Sequence, residues 1–122
     1  QDPAVYTEKF NLCTTQANLE DPALRARIVA FIQALIAAAQ RLKVQPEPGW
    51  RLVAQAAKLD IDTVSSAWPY FNYPGTLASD LLDVFERQEL WIAKVQDRSP
   101  RNRATLSNLI DDSVVREALA SP

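Results

Sequence analysis

Residues 21–44 read DPALRARIVAFIQALIAAAQRLKV, and this stretch carries the strongest helical periodicity in the chain. Its start is well marked, because Asp21 suits the N-cap and Pro22 suits the first helical position, where its missing N–H is not needed. Two apolar rows follow at three- and four-residue steps: Leu24, Ile28, Phe31, Leu35, Ala38 and Leu42, then Val29, Ile32, Ile36 and Ala39. Since a surface helix needs only one such row, we expect this helix to be buried from two sides.

The composition of the 122-residue chain is that of one globular domain, with 48% hydrophobic and 23% charged residues. Its 13 basic and 15 acidic residues are interspersed, so they provide no field to attract nucleic acid or an anionic membrane. No apolar run reaches the roughly 18 residues of a membrane span without a charge or a glutamine. Residues 1–10 lack the features of a signal peptide, and the chain opens as an internal segment or a processed product would.

The remaining elements are predicted from alternation, caps and prolines. Residues 10–15 alternate with period two and predict a short strand, which must pair with a strand elsewhere because an isolated strand is unstable. Helices are expected at 50–59, from Asp60 or Asp62 to Ala67, at 77–96 with Thr76 as N-cap, and at 113–120 with Asp112 as N-cap. The helix at 77–96 is expected to pair with the first. The predicted fold class is therefore mainly α, a single-domain helical bundle around two long helices with at most one or two short strands.

Residues 68–75, WPYFNYPG, have the most unusual local composition in the chain. Trp68, Tyr70, Phe71 and Tyr73 fall in a turn-prone segment bounded by prolines. Two interpretations stay open: the aromatic rings form a platform for a ligand, or they form a hydrophobic plug under a loop. The plug is favoured, because no charged group accompanies the rings.

For catalysis the chain offers few groups. It contains no histidine and a single cysteine, Cys13, so a Ser–His or Cys–His nucleophile and a zinc site are not expected. A buried place on the strand is expected for Cys13. The two glycines stand alone beside prolines and form no phosphate-binding loop. The pairs Asp60/Asp62 and Asp111/Asp112 are candidates for acid–base chemistry, but capping is the favoured interpretation of their positions. We predict a protein that is not an enzyme, with no cofactor and no metal.

The order of these elements resembles the C-terminal part of ABC-transporter solute-binding proteins of the nitrate/sulfonate/taurine family. Residues 19–25, LEDPALR, are similar to the helix start that follows the hinge strand in that family, and residues 29–36, VAFIQALI, are similar to the helix itself. The most specific similarity is the ending LIDDSVVREAL at residues 109–119. The similarity covers nearly the whole chain.

The resemblance implies part of a periplasmic or extracellular receptor, with a membrane anchor as one option. Such a receptor captures a small anion and delivers it to an ABC permease. Family members are two-lobed α/β proteins much longer than this chain, so residues 1–122 would be a C-terminal fragment. Most ligand-gripping residues would lie outside it, and the ligand-binding residues are unknown. A fragment should expose an apolar patch, and we expect a homodimer through the first strand or the long helix. The alternative is a free-standing helical interaction module that presents Trp68 to Tyr73 to a protein partner.

Overall fold

A computed structural model describes residues 9–120, and over that range the chain is mainly helical and contains no strand. The predicted fold class is confirmed as mainly α. The elements are α1 (Gln16–Glu20), α2 (Pro22–Val44), α3 (Glu47–Ala57), α4 (Ile61–Ala67) with a 3₁₀ turn (Trp68–Tyr70), α5 (Leu81–Val95), α6 (Arg103–Ser107) and α7 (Ser113–Ala120).

Helix α2 begins where its cap predicts. The Asp21 carboxylate accepts the backbone N–H groups of Ala23 and Leu24 at 2.8 and 3.0 Å, and Pro22 opens the helix. Its last hydrogen bond runs from the Gln45 N–H to the Arg41 carbonyl, directly before Pro46. The entry and exit of α2 are therefore set by local sequence.

Helix α7 lies against α2 and forms the central apolar cluster with it. Val29 and Ile32 of α2 pack with Val114 and Ala118 of α7, and Leu19, Ile28, Ile36 and Val115 surround them. Three polar contacts border the cluster: Arg25 to Glu117 at 2.8 Å, Arg25 to the Ser113 hydroxyl at 3.2 Å, and the Gln33 amide to the Ala118 carbonyl at 3.4 Å.

The expected two-sided burial of α2 is wrong. Leu24, Phe31 and Leu35, three members of its first apolar row, are exposed, and Phe31 keeps 54% of its surface accessible. The partners of α2 are α7, α1 and α3, and they leave this face without cover within residues 9–120. We call Leu24, Phe31 and Leu35 the uncovered face.

The predicted strand at residues 10–15 is also wrong. The segment is irregular, and its end becomes the cap of α1, where the Thr15 hydroxyl accepts the Asn18 N–H at 3.2 Å. No strand is found elsewhere in the described range to pair with it, so the extended conformation has no hydrogen-bonding partner. Cys13, expected to be buried, is exposed.

The second long helix differs from the prediction in its start and in its partner. It begins at Leu81 rather than residue 77, with Asp80 at the N-cap position instead of Thr76. It packs mainly on α6 and not on α2. The helix begins later than predicted because the chain first turns at Gly75. The φ of +70° at this residue lets the chain pass directly over α2 before the helix begins.

Small side chains fill the interior, whereas many large ones lie at the surface. The buried apolar residues are Val29, Ile32, Ala39, Ala54, Val64, Leu81, Val84, Ala93, Leu106, Val114 and Ala118. Exposed residues include Trp91 and Val95 of α5. The chain of 13.6 kDa has an accessible surface of 9530 Å², against about 6,600 Å² for a compact monomer of this mass.

The ten terminal residues outside the described range do not account for the difference. Even as a fully extended chain they would expose at most about 1,600 Å². More than about 1,000 Å² of additional surface therefore remains on residues 9–120, an amount comparable with one side of a protein–protein interface.

By length and composition alone, α2 is long and apolar enough to cross a membrane. Its charge-free part, residues 28–40 between Arg27 and Arg41, is about 20 Å long, whereas the hydrocarbon core of a bilayer is about 30 Å thick. One side of the helix also packs against α7. Within residues 9–120, α2 is the helix against which α7, α1 and α3 pack.

Replacing Gly75 by alanine should destabilise the fold. A Cβ at this position would lie 2.9 Å from the Ile36 Cα of α2, and φ is in the left-handed region. We expect Gly75→Ala to lower the free energy of unfolding by about 1 to 3 kcal/mol, measured from urea denaturation. Ser79→Ala, at an exposed position in the same segment, is the control and should change little. An unchanged midpoint for Gly75→Ala would contradict the close approach of residue 75 to α2.

Candidate binding cleft

The aromatic segment folds back over the C-terminal end of α2. The 3₁₀ turn at Trp68–Tyr70 continues directly from α4, and the Phe71 N–H donates to the Trp68 carbonyl at 3.1 Å. The chain then runs without regular structure to Gly75, which lies against α2. The 3₁₀ turn fixes one end of the aromatic segment, residues 68–75, and the contact of Gly75 with α2 fixes the other end.

The rings form a connected cluster with Tyr73 in the middle. The Tyr73 ring lies 5.3 Å from the Trp68 ring in a tilted arrangement and 5.9 Å from the Phe71 ring in a stacked one, measured between centroids. Such pairs add about 0.5 to 1.5 kcal/mol beyond the area they bury. Burial also raises the pKa of the Tyr73 phenol, so it stays neutral throughout the physiological range.

Trp68 is the most enclosed of these rings. A Cβ built on Gly49 of α3 would meet the Trp68 ring at 3.0 Å and the end of Leu42 at 2.5 Å. The absence of a side chain at residue 49 is therefore what makes room for the indole against α3. Trp68 corresponds to the predicted plug.

The other rings correspond to the predicted platform. Tyr70 is 68% exposed, Phe71 55% and Tyr73 38%. Phe71 and Tyr73, together with the end of α2, border an open cavity of about 210 Å³, which we call the aromatic cleft. Its lining residues are Ala39, Leu42, Lys43, Pro46, Trp68, Pro69, Phe71, Asn72 and Tyr73. The sequence interpretation treated plug and platform as alternatives, and the structure divides the two roles among neighbouring rings.

Among residues 9–120, Lys43 is the only charged residue that lines the aromatic cleft. Its ammonium group forms no ion pair within the described part of the chain. It is supplied by the last turn of α2, where a cation is favoured by the helix dipole. The cleft therefore combines an aromatic, apolar wall with one available positive charge.

The carboxylate pairs Asp60/Asp62 and Asp111/Asp112 lie outside the aromatic cleft, at the starts of helices α4 and α7. Asp111 accepts the Ser113 N–H at 2.8 Å at the start of α7, and its hydrogen bonds to Ser113 lower its pKa. Asp112 occupies the predicted N-cap position, but its side chain pairs with Arg116 at 3.0 Å. Asp60 stands at the N-cap position of α4 and makes no side-chain cap bond. The capping interpretation is thus borne out for the Asp111 side chain and not for that of Asp60.

One buried polar residue was not anticipated from the sequence. Glu89 of α5 is only 6% exposed, and its carboxylate binds the Arg98 guanidinium through both oxygens and the Arg101 N–H at 2.8 Å. These hydrogen bonds, the Arg98 contact above all, lower its pKa to about 2. The sequence does contain a signal for this ion pair, because Glu89 lies in the apolar stripe of α5, nine residues before Arg98. Because all its contacts hold the α5–α6 connection, Glu89 is a structural group and not a general acid.

No cluster of three or more histidine, cysteine, aspartate or glutamate side chains occurs among residues 9–120 that would hold a metal ion. The described residues thus present the aromatic cleft as the strongest candidate site. Comparison with protein families, with characterised proteins and with solved structures gave no match to this chain.

We predict that Glu89 makes stability depend on pH below neutrality. Its pKa of about 2 in the folded chain lies below its ordinary value of 4.5, so its contribution is complete above about pH 4.5 and is lost as the pH falls towards 2. Glu89→Gln should lower the melting temperature at pH 7, since Arg98 loses its counter-charge, and should flatten the acid limb of the stability curve.

The matched control is Asp83→Asn, which removes one carboxylate of the exposed Arg103 ion pair with Asp83 and Glu86. Because solvent screens that pair, its loss should change the melting temperature little. Thermal unfolding between pH 2 and pH 7 checks both variants. Equal effects of the two substitutions would contradict the assignment of Glu89 as the ion pair that holds α5 and α6 together.

Proposed function

We propose that this chain is a helical protein-interaction module that is not an enzyme and that binds a segment of a partner protein in the aromatic cleft. The observation that carries the proposal is the exposure of Phe71 and Tyr73 on the wall of an open apolar cavity, within a segment whose backbone is fixed at both ends. Exposed aromatic side chains on a rigid scaffold are the common anchors of protein–protein contacts.

The size of the cleft favours a protein segment over a free small molecule. Sites for small molecules usually enclose about 300 to 1,000 Å³ and surround most of the ligand, whereas this cavity is about 210 Å³ and open to one side. A volume of that size accommodates one large apolar side chain. The partner would therefore supply a single apolar anchor from an exposed segment.

The positive charge of Lys43 at the aromatic cleft indicates which partner segments would bind there. Lys43 lines the cavity and has no ion-pair partner in the described residues, so a carboxylate beside the apolar anchor would neutralise it. Partly desolvated ion pairs of this kind fix the register of a bound segment. The proposed ligand class is an acidic, apolar peptide segment.

The proposal predicts that Phe71 is required for binding. A displayed library of short peptides, selected on the purified full chain, should yield sequences with an aromatic or aliphatic residue next to Asp or Glu. Phe71→Ala should weaken their binding about tenfold or more, measured by isothermal titration calorimetry. Lys43→Glu should weaken it as well, because it repels the carboxylate.

The matched control is Trp91→Ala on α5, which removes an exposed aromatic side chain outside the cleft and should leave the affinity unchanged. Unchanged melting temperatures would show that the variants are folded. Selection of no peptide, or of peptides that bind the Phe71→Ala variant and the unaltered chain equally, would contradict the proposal.

A second candidate function is the one that the family resemblance implies. In that proposal the chain is part of a periplasmic or extracellular receptor that delivers a nitrate-, sulfonate- or taurine-class anion to an ABC permease. The surplus of accessible surface and the uncovered face of α2 support it, since a segment separated from the rest of a two-lobed protein displays surfaces that the other parts would cover. The irregular structure of residues 10–15 removes the strand on which part of the resemblance rested.

The receptor proposal is tested on the parent gene. It predicts a long reading frame upstream of the codon for Gln1, beginning with a secretory signal. The encoded protein should bind nitrate, taurine or an alkanesulfonate by calorimetry. A start or stop codon directly before Gln1 would contradict it, and so would a full-length protein that binds none of these anions. Neither result would affect peptide binding at the aromatic cleft.

A further inference from the structure

The uncovered face of α2 is part of a longer apolar row with the spacing of a coiled-coil seam. This row, which we call the α2 row, consists of Leu24, Ile28, Phe31, Leu35, Ala38 and Leu42, and none of these residues is buried. Its steps alternate between four and three residues, as the a and d positions of a heptad repeat do. A helix with a similar apolar seam can therefore pack along the whole row.

The α2 row joins two concave parts of the surface. At its N-terminal end, a groove of about 250 Å³ is enclosed by Leu24, Arg27, Ile28 and Phe31 together with Thr14 and Asn18. At its C-terminal end, Leu42 borders the aromatic cleft. The two ends are about 27 Å apart along the helix, or about five helical turns. Since no element covers the uncovered face within residues 9–120, the row offers another helix a continuous track.

The charges beside the α2 row are all basic. Residues 22–44 contain no Asp and no Glu. Arg27 and Arg41 lie at equivalent g positions beside the row, about 21 Å apart, and both are exposed. Neither has an ion-pair partner in the described part of the chain. At the opposite edge, Ile32 and Ala39 occupy e positions and are buried in the fold. The edge that remains open to a partner is therefore positively charged.

We propose that the α2 row binds an amphipathic helix of a partner protein, with an apolar seam on the row and carboxylates opposite Arg27 and Arg41. An amphipathic helix that lays its apolar face on such a surface is a common mode of recognition, and charge pairs at the e and g positions select the partner. Such a helix fits better than a second copy of α2, which would bring only basic side chains to the contact. The row extends the proposed function to a second surface, and it uses none of the rings of the aromatic cleft.

The charge preference is tested with two synthetic peptides of about three heptads, each mixed with the full chain. Both have Leu at the a and d positions, while the e and g positions carry Glu in one peptide and Lys in the other. Like charges at these positions keep each peptide from pairing with itself. The acidic peptide should gain helical circular dichroism on mixing and bind with a dissociation constant of about 1 to 100 µM. The basic peptide should bind at least about tenfold more weakly.

Variants of the chain test the row itself, with the affinity measured by fluorescence anisotropy of the labelled peptides. Phe31→Glu should weaken binding of the acidic peptide at least about tenfold without lowering the melting temperature, because Phe31 is exposed. Replacing both Arg27 and Arg41 by Glu should reverse the preference, so that the basic peptide binds more tightly. The matched control is Trp91→Glu, at an exposed position on α5, which should leave the affinities unchanged.

The Phe71→Ala variant separates this proposal from that for the aromatic cleft. It removes a ring from the cleft and leaves the α2 row intact, so the acidic helical peptide should bind it as tightly as the unaltered chain. Charge-dependent binding of the helical peptide supports the row even where no short peptide binds the cleft. Loss of helical-peptide binding in Phe71→Ala but not in Phe31→Glu would place the helix in the cleft and contradict the proposal.

Other results would overturn the proposal as well. Absence of binding by the acidic peptide at about 100 µM, or equal affinities of the two peptides, would exclude an acidic helix as the partner. A dimer of the unaltered chain that is lost in Phe31→Glu, seen by light scattering, would assign the row to a second copy. Sedimentation with vesicles that contain phosphatidylserine, lost in Phe31→Glu, would assign it to a lipid surface. Tighter binding of the acidic peptide by Tyr6→Ala would assign it to residues 1–8 of the chain itself.

Discussion

The packing of α7 on α2 is the contact on which the rest of the structure depends, because it joins residues that are far apart in sequence. Val29 and Ile32 meet Val114 and Ala118, and the Arg25–Glu117 ion pair at 2.8 Å borders the same surface. Closing so long a loop costs conformational entropy that only buried apolar area can offset. The intervening helices are arranged within that loop. The aromatic segment is held there by Gly75, which can approach α2 only because it has no side chain.

The distribution of side-chain size links this architecture to binding. Valine and alanine dominate the buried set, while Phe31, Phe71 and Trp91 remain exposed. Small interior residues let the helices pack closely, but each buries little area, so the domain gains only modest stability from its own core. Large apolar residues at the surface are removed from water only when another molecule covers them. The proposed contact with a peptide in the aromatic cleft follows from this distribution.

Features that depend on neighbouring residues could be predicted from the sequence, whereas features that depend on distant ones could not. The Asp21–Pro22 start of α2 and the bounds of α7 were predicted correctly, because caps and prolines act within one turn. The strand at residues 10–15 was wrong because a strand needs a partner that local alternation does not report. The aromatic cleft was visible as a composition, but which ring is enclosed depends on Gly49, nineteen residues earlier. Glu89 was missed because its role depends on Arg98 folding back from beyond the end of α5.

The long separation of α2 and α7 in the sequence also has a consequence for biosynthesis. A ribosome that adds about 5 to 20 residues per second needs roughly 3 to 14 s to proceed from the end of α2 to the start of α7. During that interval Val29 and Ile32 lack Val114 and Ala118, and a completed α2 presents apolar side chains on two sides. The nascent chain is therefore a natural client for a chaperone that binds exposed apolar helices, and it remains one until α7 has been made.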